Sequence, residues 1–171
     1  WITYYKNGEI KGEEHYIDGK ENGKWVTYHE NGQIESEENY LDGNKIGIWT
    51  AYNEDGNKHG KWTTYYDNGQ IENEEQYNDG KENGKWTTYY DNGQIEKNGK
   101  YNDGNKIGEW TAYNEKGNKH GEWTTYYKNG QIKKDEKYKD DKEDGKWITY
   151  YQNGQIEKNE NYLDGNKIKE W

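Results

Sequence analysis

Nine tryptophans recur in a fixed rhythm, and no other feature limits the possible fold as much. They are Trp1, Trp25, Trp49, Trp62, Trp86, Trp110, Trp123, Trp147 and Trp171, so the spacings run 24, 24, 13, 24, 24, 13, 24, 24. A 24-residue unit therefore repeats inside a 61-residue super-repeat, with boundaries at 1–61, 62–122 and a truncated 123–171. Self-similarity of this kind marks an array in which each unit contacts mainly its neighbours. The expected domain organisation is one continuous repeat array over residues 1–171.

Trp62 to Gly84, WTTYYDNGQIENEEQYNDGKENG, is the clearest complete unit. A short segment alternating β-branched and aromatic residues reads as strand, and turn residues bound it. Asn7-Gly8 recurs as Asn31-Gly32, Asn68-Gly69, Asn92-Gly93, Asn129-Gly130 and Asn153-Gly154. Both residue types tolerate the positive φ of a two-residue type I′ hairpin turn. Asp18-Gly19, Asp42-Gly43, Asp79-Gly80, Asp103-Gly104 and Asp164-Gly165 supply a second turn, while Asp140-Asp141 stands at that place in the third block and predicts a strained or rearranged turn. The fold class is all-β: an elongated, twisted antiparallel meander of hairpins, about 14 strands and a stub at Trp171, at about 4.8 Å per strand.

Two-residue turns fix a register. Around Asn7-Gly8 they pair Tyr5 with Ile10, Thr3 with Gly12 and Trp1 with Glu14; around Asp18-Gly19 they pair Gly12 with Trp25 and Tyr16 with Glu21. Directly paired residues share a face. In the 13-residue module a turn at Asp55-Gly56 pairs Trp49 with Trp62, and one at Lys116-Gly117 pairs Trp110 with Trp123. These registers presume no bulge at Asn22-Gly23 or Lys58 to Gly60. They place Trp1, Tyr5, Trp25, Trp49, Trp62, Tyr66, Trp86, Tyr90, Trp110, Trp123, Tyr127, Trp147 and Tyr151 on one continuous packing face, the candidate assembly surface. Tyr4, Tyr28, Tyr65, Tyr89, Tyr126 and Tyr150 fall opposite, as a candidate ladder for stacking on a sugar or another chain. A single sheet with one aromatic face must cover that face, by curling, by a second chain or by further repeats, and open strand edges can template more strands.

Composition tests this reading. Ile, Leu and Val together number only 16 of 171 residues and Phe is absent, a level usual in disordered chains. The apolar mass is instead aromatic, 9 Trp and 19 Tyr, and each buried ring removes about 150–250 Å² from water. The formal charge of −10 and the absence of Arg disfavour a nucleic-acid backbone or an anionic lipid surface as partner. No transmembrane run or leader is visible, and a chain that starts and stops on Trp without an initial Met reads as a section of a longer array.

Chemistry finds little support. Without Cys there is no thiolate metal site and no thiol nucleophile. His15, His29, His59 and His120 do not supply the three or four converging ligands of a zinc site; His59 and His120 are copies one super-repeat apart. Glu13-Glu14, Glu37-Glu38 and Glu74-Glu75 are adjacent pairs that point to opposite faces of a strand, whereas a glycosidase sets two carboxylates across one cleft. Loops such as Asp103 to Asn105 lack calcium-loop spacing. Ser36 has no copy elsewhere. The expectation is a chain with no enzymatic activity, no cofactor and no metal.

At Trp, Tyr-Tyr, Asn-Gly, Tyr-x-Asp-Gly-Lys and Gly-x-Trp the unit resembles the bacterial variant of the MORN repeat, found in antitoxin-like and in secreted or surface proteins. The match covers Trp1 to Ile48, Trp62 to Glu109 and Trp123 to Trp171, and the short modules are partial copies. Members of that family are twisted antiparallel meanders. The family pattern often has Gly two residues before the Tyr of the second strand; only Gly99 keeps it, and Glu14, Glu38, Glu75, Glu136 and Glu160 replace it. The resemblance and the array together imply a structural or adhesive scaffold that binds itself or another protein, at a bacterial surface or in an extracellular filament. The alternative is a binding module: an antitoxin-like immunity protein, which would be cytoplasmic, or a carbohydrate binder with a glycan partner. Nucleic-acid binding and membrane insertion are not expected.

Overall fold

A computed structural model describes residues 1–168, so the predicted stub at Trp171 lies outside the described residues. The chain divides into two compact units, Trp1–Asn83 and Gly84–Trp171. In the first, the strands are β1 (Ile2–Tyr4), β2 (Ile10–Glu13), β3 (Tyr16–Ile17), β4 (Lys20–Glu21), β5 (Gly23–Tyr28), β6 (Ile34–Leu41), β7 (Asn44–Ala51), β8 (Gly60–Tyr65), β9 (Ile71–Asn78) and β10 (Lys81–Glu82). In the second they are β11 (Gly84–Tyr89), β12 (Ile95–Asn102), β13 (Asn105–Ala112), β14 (Gly121–Tyr126), β15 (Ile132–Lys139), β16 (Lys142–Glu143), β17 (Gly145–Tyr150), β18 (Ile156–Leu163) and β19 (Asn166–Ile168). Among the described residues, strands within either unit pair antiparallel with near neighbours in sequence. The described residues contain no helix. Each unit is thus an all-β meander of hairpins.

The Asp-Gly turns have the expected geometry. Asp18 and Gly19 both hold positive φ, +50° and +76°, and Tyr16 pairs with Glu21 across them. Asp140-Asp141 keeps the same turn without rearranging: φ is +50° and +69°, and Lys139 still pairs with Lys142. Asp141 is anchored there, since its backbone N–H donates to the Lys119 carbonyl at 3.0 Å and its carboxylate accepts from the Lys119 N–H at 2.8 Å.

The Asn-Gly turns are different. Asn7 lies outside the left-handed region and only Gly8, at φ +89°, enters it. The Tyr5 N–H donates to the Glu9 carbonyl at 2.8 Å and the Gly8 N–H to the Tyr5 carbonyl at 3.0 Å, which makes a three-residue loop ending in a glycine bulge. Asn earns its place another way: its side-chain oxygen accepts from the N–H two residues on, at 3.0 Å from Glu9. A second bulge between Thr3 and Tyr4 then cancels the extra loop residue. Tyr4, not Tyr5, pairs with Ile10, yet Thr3 still meets Gly12, and Glu14 donates to Trp1 at 2.8 Å. Two opposite slips leave the outer register as expected.

Bulges also follow the Asp-Gly turns. Gly23, at φ +89°, shifts the pairing by two residues, so Gly12 faces Thr27 rather than Trp25. An even slip leaves each side chain on its expected face.

The short module slips by an odd number. Its loop is again three residues long, with the Asn53 N–H donating to the Asn57 carbonyl at 2.9 Å, and Tyr52 bridging Lys58. Gly60, at φ +76°, then opens a further bulge, and Trp49 pairs with Thr63 instead of Trp62. Trp62 follows Thr63's neighbour rule and lies on the opposite face from Trp49. The same happens in the second unit, where Trp110 pairs with Thr124, not Trp123. The expectation of one continuous tryptophan face is therefore corrected: each short module turns the aromatic row over to the other side of the strand ribbon.

Asp141→Ala is expected to destabilise the chain by about 1–2 kcal/mol, because it keeps a left-handed Cβ and loses the carboxylate anchor. Asp141→Gly, which removes the backbone cost, is expected to stay within about 1 kcal/mol of the parent. Chemical denaturation midpoints of the two variants measure the difference.

Candidate interaction surface

Six of the indoles are held by a backbone carbonyl of the preceding segment. The Trp25 Nε1–H donates to the His15 carbonyl at 3.0 Å, Trp49 to Asn39 at 3.3 Å and Trp62 to Ala51 at 2.8 Å. In the second unit Trp110 donates to Lys100 at 3.2 Å, Trp123 to Ala112 at 2.7 Å and Trp147 to Lys137 at 3.1 Å. The rings then alternate with tyrosines into rows. Tyr16, Trp25, Tyr40, Trp49 and Tyr65 follow one another at centroid distances of 5.1 to 5.5 Å, while Tyr52, Trp62 and Tyr77 form the row on the other side. The second unit has Trp86, Tyr101 and Trp110 on one side, and Tyr113, Trp123, Tyr138, Trp147 and Tyr162 on the other. Tilted and edge-to-face contacts of this kind contribute about 0.5–1.5 kcal/mol each beyond burial.

The row members differ from those expected. Tyr40, Tyr101 and Tyr138, two residues beyond the second-strand Glu or Gly, intercalate between two indoles, and Tyr77 and Tyr162 at the same position pack on Trp62 and Trp147. Tyr5, Tyr90 and Tyr127 do not belong to the rows. Each begins a turn and donates its hydroxyl to the carbonyl 23 residues on: Tyr5 to Tyr28 at 2.5 Å, Tyr90 to Tyr113 at 2.7 Å, Tyr127 to Tyr150 at 2.7 Å. His29 takes the place of tyrosine in this series and its Nε2 meets the Tyr52 carbonyl at 2.9 Å. Tyr66 starts the equivalent turn at Asn68-Gly69, and Tyr151, 49% exposed, starts the last one. The signal for these rivets was present in the sequence as the second Tyr of each pair, which sits one residue past its strand.

The proposed opposite ladder is also split. Tyr28 lies across the sheet from Trp25 and its hydroxyl reaches Glu13 at 3.5 Å, and Tyr4 is 59% exposed. Tyr89 and Tyr150 alternate with Trp86 and Trp147 in the same way within their strands. Tyr65 instead packs on Trp49 at 5.5 Å, and Tyr126 shares the Trp110 side, because Gly47 pairs with Tyr65 and Gly108 with Tyr126. The face inversion brings them there.

Lysines supply much of the cover that a single-layer sheet lacks. Lys45 stands over Trp49 at 4.0 Å, Lys58 over Trp62 at 4.1 Å, Lys106 over Trp110 at 4.4 Å and Lys119 over Trp123 at 4.4 Å, each four residues before its ring. Such contacts contribute about 0.5–1 kcal/mol at exposed sites, and the lysine stems screen apolar surface. Even so, among the described residues no large side chain is fully buried, and of the indoles only Trp123 falls to 7% exposure. Gly99 is where the next ring presses closest: a Cβ there would lie 2.1 Å from the Trp110 ring.

The titratable groups serve this packing. Burial, and then Glu136 and Glu143, push the Tyr138 phenol up to about 12. Burial and the bond to Glu38 push Tyr40 up as well. His59 Nδ1 and Asn53 both approach Asp79, at 3.4 and 2.9 Å, and His120 with Asn114 repeats the arrangement on Asp140. Among the described residues no group of three His, Asp or Glu side chains is placed to hold a metal ion.

Tandem hairpins stacked edge to edge, riveted at Tyr5, His29, Tyr90 and Tyr127 to the carbonyl 23 residues on and carrying rows of partly open aromatic rings, define a β-repeat protein. The family comparison agrees. A model described as the MORN repeat variant matches residues 1–18, 21–42, 58–79, 82–103, 119–140 and 143–164, and the chain belongs to that family, a non-enzymatic repeat family commonly engaged in protein or membrane interactions. The matched repeats resume at Lys58 and Lys119, the lysines that cap Trp62 and Trp123, rather than at the tryptophans themselves. A search of curated proteins finds no match.

Gly99→Ala is expected to displace the Trp110 ring and cost about 1–3 kcal/mol, read as a lower melting temperature and a changed near-ultraviolet circular dichroism spectrum. A second expectation concerns alkali. A phenol whose folded pKa lies above the unfolded value stabilises the fold fully below the unfolded pKa, near 10, and that contribution is lost as pH rises through the folded value. Stability should therefore decline between about pH 10 and 12, with the late tyrosinate absorbance appearing together with unfolding; phenols that all titrate near 10 in the folded protein would contradict it.

Proposed function

We propose that the chain is a non-catalytic structural scaffold whose aromatic rows mediate protein–protein interaction, self-assembly first among them, as part of an adhesive array or extracellular filament on a bacterial surface. The observation that carries this reading is the incomplete cover of the rows. Two-sided ribbons with indoles held rigid by hydrogen bonds present preorganised apolar area on both faces, and aromatic anchors of this kind dominate the energetics of protein interfaces. Preorganisation reduces the ordering cost of binding. Because the short modules invert the row, a unit of this kind can meet neighbours from both sides, which suits a lattice or filament better than a single closed dimer. The strong acidity favours a protein or self partner over nucleic acid or anionic lipid.

The test is mass as a function of concentration, by multi-angle light scattering, with negative-stain electron microscopy of the same samples. Mass that rises with concentration, and falls again when half-buried row positions such as Trp25 and Trp49 are changed to Ser, is the expected result. A monodisperse monomer at every concentration, with no higher assembly in the images, would overturn the self-assembly reading.

A further inference from the structure

Trp147 and Trp25 occupy the same place in the repeat, 122 residues apart, and their surroundings differ in one informative way. Trp147 lies between Tyr138 at 5.2 Å and Tyr162 at 5.0 Å. Glu160 is paired directly across from it, and Glu136 flanks it on the other strand, next to the Asp135–Ile148 pair. This box is filled by the chain's own lysines. Lys134 stands 5.2 Å over the ring and 2.6 Å from Glu136, while Lys158 and Lys167 reach Glu160 at 2.8 and 2.5 Å. Both carboxylates are nearly covered, 8% and 11% exposed, and the ammoniums hold Glu160 down at about 2.

Around Trp25 the walls are the same and the filling is gone. Tyr16 and Tyr40 stand at 5.1 Å on either side, Glu38 is paired directly across, and Glu14 flanks the other strand next to the Glu13–Val26 pair. The two carboxylates are oriented by phenols, Tyr16 donating to Glu14 at 3.0 Å and Tyr40 to Glu38 at 2.8 Å. The positions of Lys134 and Lys158, however, are held here by Gly12 and Ser36. A cavity of about 330 Å³ opens in their place, bounded by Thr3, Gly12, Glu14, Trp25, Ser36 and Glu38. The nearby ammoniums are directed elsewhere: Lys45 covers Trp49 at 4.0 Å, and Lys11, at the cavity edge, leans over Tyr5 at 5.8 Å.

We infer that the Trp25 cavity receives one lysine side chain of a partner protein, its ammonium seated between Glu14 and Glu38 and its methylenes lying along the indole. The occupant follows from the chain's own chemistry, because the homologous box around Trp147 is completed by lysine. An indole face with two flanking carboxylates attracts an alkylammonium by cation–π and charge-assisted bonds together. The hydroxyls of Thr3 and Ser36 and the missing Cβ of Gly12 leave room for a four-carbon stem. The inference deepens the protein-interaction reading given above, and it makes that surface selective for a basic partner despite its aromatic character.

The test uses the full chain, labelled with ¹⁵N, and follows the Trp25 indole N–H signal during titration. The probes are Nα-acetyl-lysine methylamide, the neutral Nα-acetyl-norleucine methylamide, and 1,5-diaminopentane. A saturable shift with the lysyl probe, absent with norleucine, is expected. Glu38→Gln should weaken the lysyl probe about tenfold. Ser36→Lys should abolish binding and move the Trp25 signal without any probe, because it supplies the occupant from within; Gly12→Lys is the poorer variant, since its Cβ would meet Thr3 Oγ1 at 3.2 Å. No shift, an equal shift with norleucine, or unchanged affinity in Ser36→Lys would overturn the inference. Diaminopentane binding as tightly as the lysyl probe would overturn the protein source and assign the cavity to a free amine. Light scattering keeps the two readings apart: probe binding by a permanent monomer sinks self-assembly alone, and assembly without probe binding sinks the lysine receptor alone.

Discussion

Backbone register is the constraint from which the rest of each unit follows. In a ribbon with a side-chain period of two, a slip of one residue sends every later side chain to the other face. Left-handed glycines set those slips. Gly8 and the bulge beside Tyr4 cancel, Gly23 and Gly60 each add an even step, and the three-residue loop that ends at Gly56, with no second bulge of one residue to cancel it, leaves the odd one. The aromatic rows, the lysine caps and the carboxylate boxes all take their sides from this arithmetic. A backbone conformation that Gly adopts at little cost thus decides where an indole points many atoms away.

A sheet of this sort has no thick core to stabilise it, and the compensation is local and repetitive. Indole N–H groups donate to the preceding strand, turn tyrosines donate to the following repeat, and lysine stems lie over the rings. Individually these contribute about 1 kcal/mol or less. Their strength comes from number and from sharing, since rings such as Trp25, Trp49, Trp123 and Trp147 each touch two ring partners. Surface ion pairs such as Lys142 with Asp164 at 2.7 Å add little, being open to water. The Thr50, Thr87 and Thr111 hydroxyls, buried without a hydrogen-bond partner, show that even this thin structure accepts some polar cost to keep its strands aligned.

The strands and the Asp-Gly turns could be read directly from the sequence, because alternation and a two-residue positive-φ turn are local properties. Trp1 opposite Glu14 and Tyr16 opposite Glu21 were accessible for the same reason. The short module was not. WTAYNEDGNKHGKW looks like a hairpin on Asp55-Gly56, yet Asn53 closes a longer loop through its side chain, with Asp55 and Asn57 N–H groups both donating to it at 3.1 and 2.9 Å. That competition between a side-chain-capped loop and a two-residue turn is decided by tertiary neighbours, not by the dipeptide. The role of the second Tyr was hidden likewise, since its bond runs to a carbonyl 23 residues away. His29 was the clue: it could replace tyrosine only where a ring nitrogen serves as well as a phenol.

The 13-residue module has a consequence for how chains of this design can change. Inserting or deleting a full 24-residue unit lengthens or shortens a ribbon and leaves its sidedness alone. Inserting or deleting the short module exchanges the two faces for everything downstream in its unit, without altering one contact residue. Sidedness is thereby carried as a two-valued property, counted by short modules, and independent of length. Recombination between repeats could rewire which partner a ribbon meets while every rivet, cap and turn that folds it stays in place.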